Sequence, residues 1–145
     1  MGQNGVLGVV VPISDERVMH DVFHGRSFHA TLAKDDSTDL EKGDRMFFYD
    51  SGKTRQLVGE AMIASITFRE AKDVLEQCGG KLYLDADAFD RYVSSLPEGQ
   101  KSLLRVLRFE DPTVYAAPVK CSVTIPEGGL DMTAEIFAKI SKDNT

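Results

Sequence analysis

The 145-residue chain has the length of a single domain, and a chain of that length buries roughly 68–70% of the surface it exposes when unfolded. Its 42% hydrophobic and 28% charged residues are the proportions of a folded globular protein, which excludes an intrinsically disordered chain. The net charge of -6 excludes a protein that binds nucleic acid over its whole surface, because such binding depends on cations that neutralise phosphates. Any nucleic-acid site must therefore be local.

The cysteines and the N-terminal sequence bear on metal binding, disulfide bonds and cellular location. Cys78 and Cys121 lie far apart and have no CxxC or Cys/His spacing around them, so we expect buried free thiols rather than a zinc site or a disulfide framework. No apolar run approaches the ~18 residues of a membrane span, and Met1 to Asn4 lack a basic region followed by an apolar run. We expect a cytoplasmic protein with no membrane partner.

The first elements are a strand, a helix and a second strand. Val6–Ile13 is a short, β-branched apolar run, which is typical of a buried strand. Ser14–His24 predicts a helix, because a capping serine opens it and a glycine follows it. From Ser27 to Leu32 apolar and polar residues alternate, which predicts a half-buried strand on which His29 faces outward.

A hairpin follows a polar loop. The loop covers Ala33–Glu41, and the turn Lys42-Gly43-Asp44 leads into an apolar strand over Arg45–Tyr49. Asp50-Ser51-Gly52 turns the chain into Gln56–Phe68, a long apolar segment whose interior glycine indicates a bend or a bulge.

Two helices are predicted next. Arg69–Cys78 has helical composition and is followed by two glycines, which act as a stop signal. Asp85 or Asp87 caps a second helix, whose apolar residues follow the i, i+3, i+4, i+7 spacing until Pro97 ends it.

The last part of the chain predicts two strands and a helix. Leu103–Phe109 alternates as a strand does, and Asp111-Pro112 is expected to break it. Val114–Val123 is a further extended segment, which Pro118 restricts to an edge or a bulge. Thr133 is expected to cap the final helix.

These elements make a single domain over residues 1–145 that is mainly β with inserted short helices, an α+β fold of five or six strands. Strands at this spacing favour a small closed barrel, because closure removes the exposed edges of an open sheet.

Three segments carry recognisable motifs. They are a helix that ends in a glycine followed by a basic residue, a Lys-Gly-Asp turn into a strand with aromatic residues at its end, and a Gly-Glu-Ala strand: Phe23–Ser27, Leu40–Tyr49 and Val58–Ile63. Together they resemble the PUA-like superfamily, in particular its ASCH and EVE-type domains. The resemblance implies a small pseudo-barrel with a cleft beside the first helix, used for RNA, DNA or a flipped modified base. It also suggests an archaeal family of this type. The second half of the chain agrees with these domains only in pattern.

The densest polar segment follows the first helix. Arg26 supplies a bidentate donor to a phosphate, His29 can stack on or hydrogen-bond a base, and Gly25 lets a ligand approach the backbone. The alternative is a helix C-cap followed by an ordinary strand. We predict a ligand or nucleic-acid site formed by His24, Gly25, Arg26, Ser27, His29, Tyr49, Lys53 and Arg55.

Three of these residues, Tyr49, Lys53 and Arg55, belong to the predicted hairpin. Lys53 and Arg55 are two cations that can touch a phosphate, although a solvated turn is the alternative. The sequence Gly52-Lys53-Thr54 is not a phosphate loop, because Phe47 stands where that motif needs a glycine. Tyr49 would supply a stacking surface, and core packing is its alternative role.

Three charged residues on predicted strands are further candidates for the site. Glu60 lies in an apolar strand, where it either faces solvent or meets a cation or backbone donors, and in an enzyme it would be a candidate base. Arg105 and Arg108 are three apart on a strand and point to opposite faces, so at most one of them belongs to a single site.

The function predicted from these residues is a non-catalytic module that binds RNA or single-stranded or modified nucleic acid, without a cofactor. An ASCH-type nucleoside amidohydrolase is one alternative, but the lysine and threonine of that motif fall on Ser27 and Ala30, which leaves only Thr31 as a nucleophile. A domain that docks a protein partner through its acidic helices, Arg69–Leu96, is the other. His20 and His24 share a helix face, but two ligands are too few for a catalytic zinc site, so we expect no metal.

Overall fold

The computed structural model describes residues 6–14, 16–23, 29–33, 40–78, 86–125 and 129–144. Within them the chain forms six strands and four α-helices, with a short 3-10 helix at Gly99–Lys101. In chain order these are β1 Val6–Ile13, α1 Glu16–Phe23, β2 His29–Ala33, β3 Arg45–Asp50, β4 Gln56–Glu70, α2 Ala71–Cys78, α3 Ala86–Ser94, β5 Leu103–Lys120, β6 Leu130–Thr133 and α4 Ala134–Asp143. The mainly β fold with inserted short helices is confirmed.

The six strands form one mixed sheet in the order β2-β5-β4-β3-β1-β6. β1 pairs in parallel with β3, and the other four ladders are antiparallel. A parallel pair needs a long crossover connection. Here α1 and β2 lie between β1 and β3 in the chain and provide it.

The sheet separates two apolar clusters. Strand β1 is buried on both faces: Val9 and Val11 belong to the first cluster, which the helices α1, α2 and α3 cover, and Val10 belongs to the second, which α4 covers. A strand buried on both faces has a continuous apolar sequence rather than an alternating one. This accounts for the unbroken apolar run that predicted β1.

A buried ion pair shows that the sheet is strongly curled. Arg105 on β5 is only 6% exposed, and its Nη2 lies 3.4 Å from Oδ1 of Asp131 on β6. Those strands are four positions apart in the sheet, so in a flat sheet they would lie roughly 19 Å apart. No ladder joins the end strands β2 and β6 within the described ranges, so the described sheet is curled but not closed by hydrogen bonds, and the predicted barrel stays a prediction.

The predicted break at Asp111-Pro112 is wrong, because β5 continues from Leu103 to Lys120. Both proline residues of this strand lie where the ladder with β4 changes register. Pro112 falls between Glu110, which pairs with Met62, and Thr113, which pairs with Glu60, and Asp111 beside it has a positive φ of 54°. A proline at such a bulge removes no ladder hydrogen bond, so the strand tolerates it.

Pro118 confirms the bulge predicted for it. It lies between Val114, which pairs with Gly59, and Val119, which pairs with Leu57, where the register shifts again.

Two elements differ from the sequence prediction and one boundary agrees with it. β6 was not predicted, and β4 continues to Glu70, so α2 begins at Ala71 rather than at Arg69. The predicted cap of the last helix is confirmed, because Oγ1 of Thr133 accepts a hydrogen bond from the amide of Ile136 at 3.2 Å.

The Lys-Gly-Asp turn that carried the family resemblance has a structural role. Gly43 has a φ of +94°, a conformation that L side chains rarely adopt. The carboxylate of Asp44, which is buried, accepts a hydrogen bond from the amide of Glu41 at 2.8 Å and so holds the turn that opens β3. In the described part of the chain, no helix is long and apolar enough to span a membrane.

Candidate ligand-binding site

A cleft of about 590 Å³ opens beside α1. One wall is the helix itself, and the other consists of the β3–β4 turn and neighbouring residues of β4 and β5. Its volume lies within the range of small-molecule and cofactor sites, about 300–1,000 Å³. The lining residues are Ile13, Ser14, Glu16, Met19, His20, Phe23, Asp50, Gly52, Lys53, Val58 and Val114.

The polar end of the cleft is held by the turn between β3 and β4. Oδ1 of Asp50 accepts hydrogen bonds from the amides of Gly52 and Lys53 at 3.2 and 3.1 Å, and Oδ2 accepts one from Oγ1 of Thr54 at 3.0 Å. A short carboxylate that bonds the following amides is a common way to fix a turn. Asp50 therefore orients the turn on which Lys53 is presented.

The turn also lies directly against the start of α1. A Cβ on Gly52 would lie 2.5 Å from the carbonyl oxygen of Ser14, which is closer than real side chains approach. The amide of Ser51 donates to the carbonyl of Ile13 at 3.2 Å. Gly52 is thus required for the close packing that joins the two walls of the cleft.

The apolar wall is centred on Phe23. Its ring stacks edge-on against Phe48, with ring centroids 5.4 Å apart and an interplanar angle of 84°. Gly59 makes room for this ring, because a Cβ there would lie 2.4 Å from Cζ of Phe23. Val114 completes the wall and is 58% exposed, so part of the apolar surface of the cleft is open to a ligand.

The described lining of the cleft contains two carboxylates, Glu16 and Asp50, and one ammonium group, Lys53. Lys53 and Glu16 are both well exposed, and Nζ of Lys53 lies 4.0 Å from Oε1 of Glu16. An ion pair of this kind contributes little to stability, typically ~0–1 kcal/mol. Both side chains can therefore turn to a ligand at small cost.

Four of the eight residues predicted for the site, His24, Gly25, Arg26 and Ser27, lie outside the described residues. His29 is the first residue of β2, at one edge of the sheet, and its backbone pairs opposite Arg108 on β5. Their place in a ligand site stays a prediction.

The structure places the other three predicted residues on different surfaces. Lys53 lines the cleft. Tyr49 is 7% exposed and packs in the second apolar cluster, where burial, and to a smaller extent the nearby Cys121, raises the pKa of its phenol. Arg55 lies across the turn from the cleft and lines a second, separate groove of about 390 Å³. One pocket does not hold all three.

Glu60 has the cation partner that the sequence proposed as one option. Its Oε2 pairs with Nη1 of Arg45, and its Oε1 accepts a hydrogen bond from the Tyr115 hydroxyl at 3.1 Å. Burial raises the pKa of Tyr115, which keeps the phenol protonated as a donor to Glu60. None of these residues lines the cleft.

Sequence reasoning missed most of the cleft wall. Met19, Val58 and Val114 are apolar residues in ordinary strand and helix patterns, and such residues carry no functional signal on their own. Ser14 and His20 also line the cleft together with Asp50, an arrangement that the sequence did not indicate. Within the described ranges no three His, Cys, Asp or Glu side chains lie close enough to hold a metal ion.

The chain has the fold of ASCH domains, which belong to the PUA-like superfamily. The structure is similar to that of the ASCH protein from Zymomonas mobilis, with a TM-score of 0.65 and 10% identity over 94% of both chains. A serine-to-alanine mutant of the same protein gives a TM-score of 0.66 and 10% identity, with 98% of both chains covered. At this identity the likeness shows the fold alone.

The chain belongs to the DUF365 family, a domain of unknown function whose model matches residues 6–134. No curated protein gives a significant match. The predicted PUA-like, ASCH-type resemblance is confirmed at the level of the fold, whereas archaeal origin and a cytoplasmic location stay predictions.

Proposed function

We propose that this chain is a non-catalytic nucleic-acid-binding module that holds one unpaired or modified base of RNA or single-stranded DNA in the cleft beside α1. The observation that carries the proposal is the cleft itself, which combines an open apolar wall with a polar turn at one end. RNA recognition commonly takes an unstacked base in this way, with contact to its flat faces and hydrogen bonds to its edge.

The two parts of the cleft suit the two parts of a base. Met19, Phe23 and Val58 offer apolar contact to the ring faces. Lys53 offers a donor and Glu16 an acceptor to the polar edge. Since the cleft does not carry an excess of cations, base contacts rather than phosphate contacts supply most of the affinity at this site.

The overall charge of the chain agrees with such a local site. A chain of net charge -6 gains little from general attraction to phosphates, so its affinity depends on shape and on a few specific contacts. Arg26 and His29 remain proposed members of the site at the end of α1. They would add one phosphate donor and one stacking group.

A pair of matched variants tests the cleft. Val114→Glu places a carboxylate in the cleft, whereas Leu103→Glu places one at the other end of β5, where Leu103 is 40% exposed. Both variants change the net charge equally, and both replace an exposed apolar side chain. Fluorescence anisotropy with a short single-stranded RNA should show about tenfold weaker binding for Val114→Glu and little change for Leu103→Glu. Equal affinities of the two variants would remove the cleft as the binding site.

A hydrolase is the alternative for which the structure supplies an observation. Ser14 and His20 line the same cleft, and a hydroxyl beside an imidazole can act as a nucleophile when the two are hydrogen-bonded. However, the turn already uses both carboxylate oxygens of Asp50. We expect no turnover of an acylated cytidine by the purified protein. Release of free acid that is lost in Ser14→Ala or Thr31→Ala would establish the enzyme instead.

A further inference from the structure

The tip of the β3–β4 hairpin, residues 51–55, separates two concave surfaces. Gly52 and Lys53 line the cleft beside α1, whereas Thr54 and Arg55 line the second groove, between the hairpin, the end of β5 and the end of α4. Lys53 and Thr54 are consecutive residues, and consecutive Cα atoms lie about 3.8 Å apart. A ligand that extends over the hairpin tip would therefore enter both surfaces.

The two surfaces differ in charge. Among the described residues, the lining of the cleft contains two carboxylates, Glu16 and Asp50, and one ammonium group, Lys53. The lining of the groove reverses this balance, with Arg55 and Lys120 against the single carboxylate of Asp143. Of these two linings, as far as the structure describes them, that of the groove has the surplus of positive charge that a phosphate requires.

The carboxylate in the described lining of the groove is hydrogen-bonded to Ser122. Oδ2 of Asp143 accepts hydrogen bonds from the amide and the hydroxyl of Ser122, at 3.1 and 2.6 Å. In the described part of the chain neither Arg55 nor Lys120 forms an ion pair, and both residues are exposed. The groove thus offers two cations to an incoming anion, in a space of about 390 Å³.

Arg55 has an unusual backbone conformation. Its φ is +56°, in the left-handed region that glycine and asparagine adopt most readily. The amide of Arg55 donates to the carbonyl of Asp50 at 2.8 Å, which closes the turn and holds this conformation. Arginine is uncommon in this conformation, and anion binding by its guanidinium would account for an arginine at this position.

We propose that this groove is a phosphate subsite for the nucleotide next to the base in the cleft. The base enters the cleft beside α1, and the phosphodiester of the adjoining nucleotide crosses the hairpin tip into the groove, where Arg55 and Lys120 bind it. This inference rests on the proposed function and adds the site that binds the phosphate. It also explains how an acidic protein binds a polyanion, since the cations are confined to one groove.

Two variants in the groove and one control, each of which removes one positive charge, test this subsite. Arg55→Asn removes a cation and places a residue that accepts the left-handed backbone, so it retains the fold. Lys120→Gln removes the second cation. The matched control is Lys101→Gln, in the 3-10 helix that packs near α2 and α3. Affinity for a short single-stranded RNA and for one of its nucleosides is measured for each variant, at several salt concentrations.

The groove variants should affect the binding of RNA but not the binding of its nucleoside. Arg55→Asn and Lys120→Gln should each weaken RNA binding several-fold and reduce the slope of log affinity against log salt by about 0.7, the value for one phosphate on a single strand. The affinity for the nucleoside should not change, and Lys101→Gln should behave as the unsubstituted protein. RNA affinity and salt slope that are unchanged in both groove variants would overturn the inference.

The cleft variant and the groove variants test the two surfaces separately. If Val114→Glu weakens RNA binding while the groove variants do not, the cleft stands and the groove falls. If the protein binds neither RNA nor single-stranded DNA, both fall together. A second measurement does not depend on substitution: Cys121 lines the groove, so bound RNA should slow its alkylation by iodoacetamide, as read by peptide mass spectrometry. An unchanged alkylation rate at saturating RNA would also overturn the inference.

Discussion

Replacing Gly59 by alanine tests the packing that shapes the cleft. The added Cβ would lie 2.4 Å from Cζ of Phe23 and 2.5 Å from the carbonyl oxygen of Thr113. Ordinary contact begins at 3.4 Å, so the ring must retreat by about 1.0 Å and the carbonyl by about 0.9 Å. Thr113 belongs to the ladder between β4 and β5, where it pairs with Glu60, so its carbonyl moves only if that ladder is strained.

Overpacking of this kind costs typically about 1–3 kcal/mol, and we expect the upper part of that range because one of the crowded atoms is backbone. With an m-value of about 2 kcal/mol/M in urea, a loss of about 2–3 kcal/mol lowers the unfolding midpoint by about 1–1.5 M. Urea unfolding followed by circular dichroism measures the shift. RNA affinity should fall as well, because Phe23 lines the cleft.

A double variant identifies the source of the loss. Phe23→Leu removes the ring edge that crowds position 59, so Gly59→Ala should cost less in the Phe23→Leu background than in the unsubstituted protein. The carbonyl of Thr113 remains, so the recovery should be partial. An unfolding midpoint that Gly59→Ala leaves unchanged would refute the close approach of Phe23 and β5 to this glycine.

Three further predictions concern other parts of the molecule. Thr133→Ala removes the acceptor for the Ile136 amide and should lower the free energy of unfolding, measured in urea, by about 1 kcal/mol. Thr133→Ser keeps a hydroxyl acceptor and should retain most of that stability, so equal losses in the two variants would contradict the cap. Hydrogen bonds from Ser122 lower the pKa of Asp143, so its contribution to stability is present above the ordinary pKa and lost as the pH falls through the lowered value. The drop in unfolding midpoint between neutral pH and about pH 3 should therefore be smaller in Asp143→Asn, and an identical drop would reject this. Arg26→Ala should weaken RNA binding and reduce the salt slope by about 0.7, and unchanged affinity and slope would exclude Arg26 from the site.

Local pattern was sufficient for most of the fold. The apolar run of β1 and the capping threonine of α4 each carry their own signal, and both elements lie where that signal predicted them. β6 is only four residues long and exists because it pairs with β1, more than a hundred positions earlier in the chain. A contact at that separation leaves no local pattern to read.

The sequence did not predict that β5 continues through Pro112, for a different reason. A proline breaks a strand when its missing amide is needed by the ladder, and Pro112 lies at a register shift where it is not needed. The sequence shows the proline but not the shift.

The site was predictable only in part. Lys53 was identified by its charge and its turn, and the structure places it at the cleft. Tyr49 shared the same neighbourhood in sequence, but neighbouring strand residues point to opposite faces, and here both faces of β3 are buried. Composition does not show on which face of β3 the tyrosine lies. It also does not show that Val114, far along the chain from α1, completes the wall of the cleft.

Amide chemical-shift mapping shows whether a base enters the cleft beside α1. A ¹⁵N-labelled sample is titrated with a short single-stranded RNA at constant salt. The largest shifts should fall on Ser14, Gly52 and Lys53, with smaller ones on Arg55 and Lys120, and those of the Leu103 segment should stay unchanged. Saturation without shifts around the β3–β4 turn, or with the largest shifts at the Leu103 end of β5, would contradict the account.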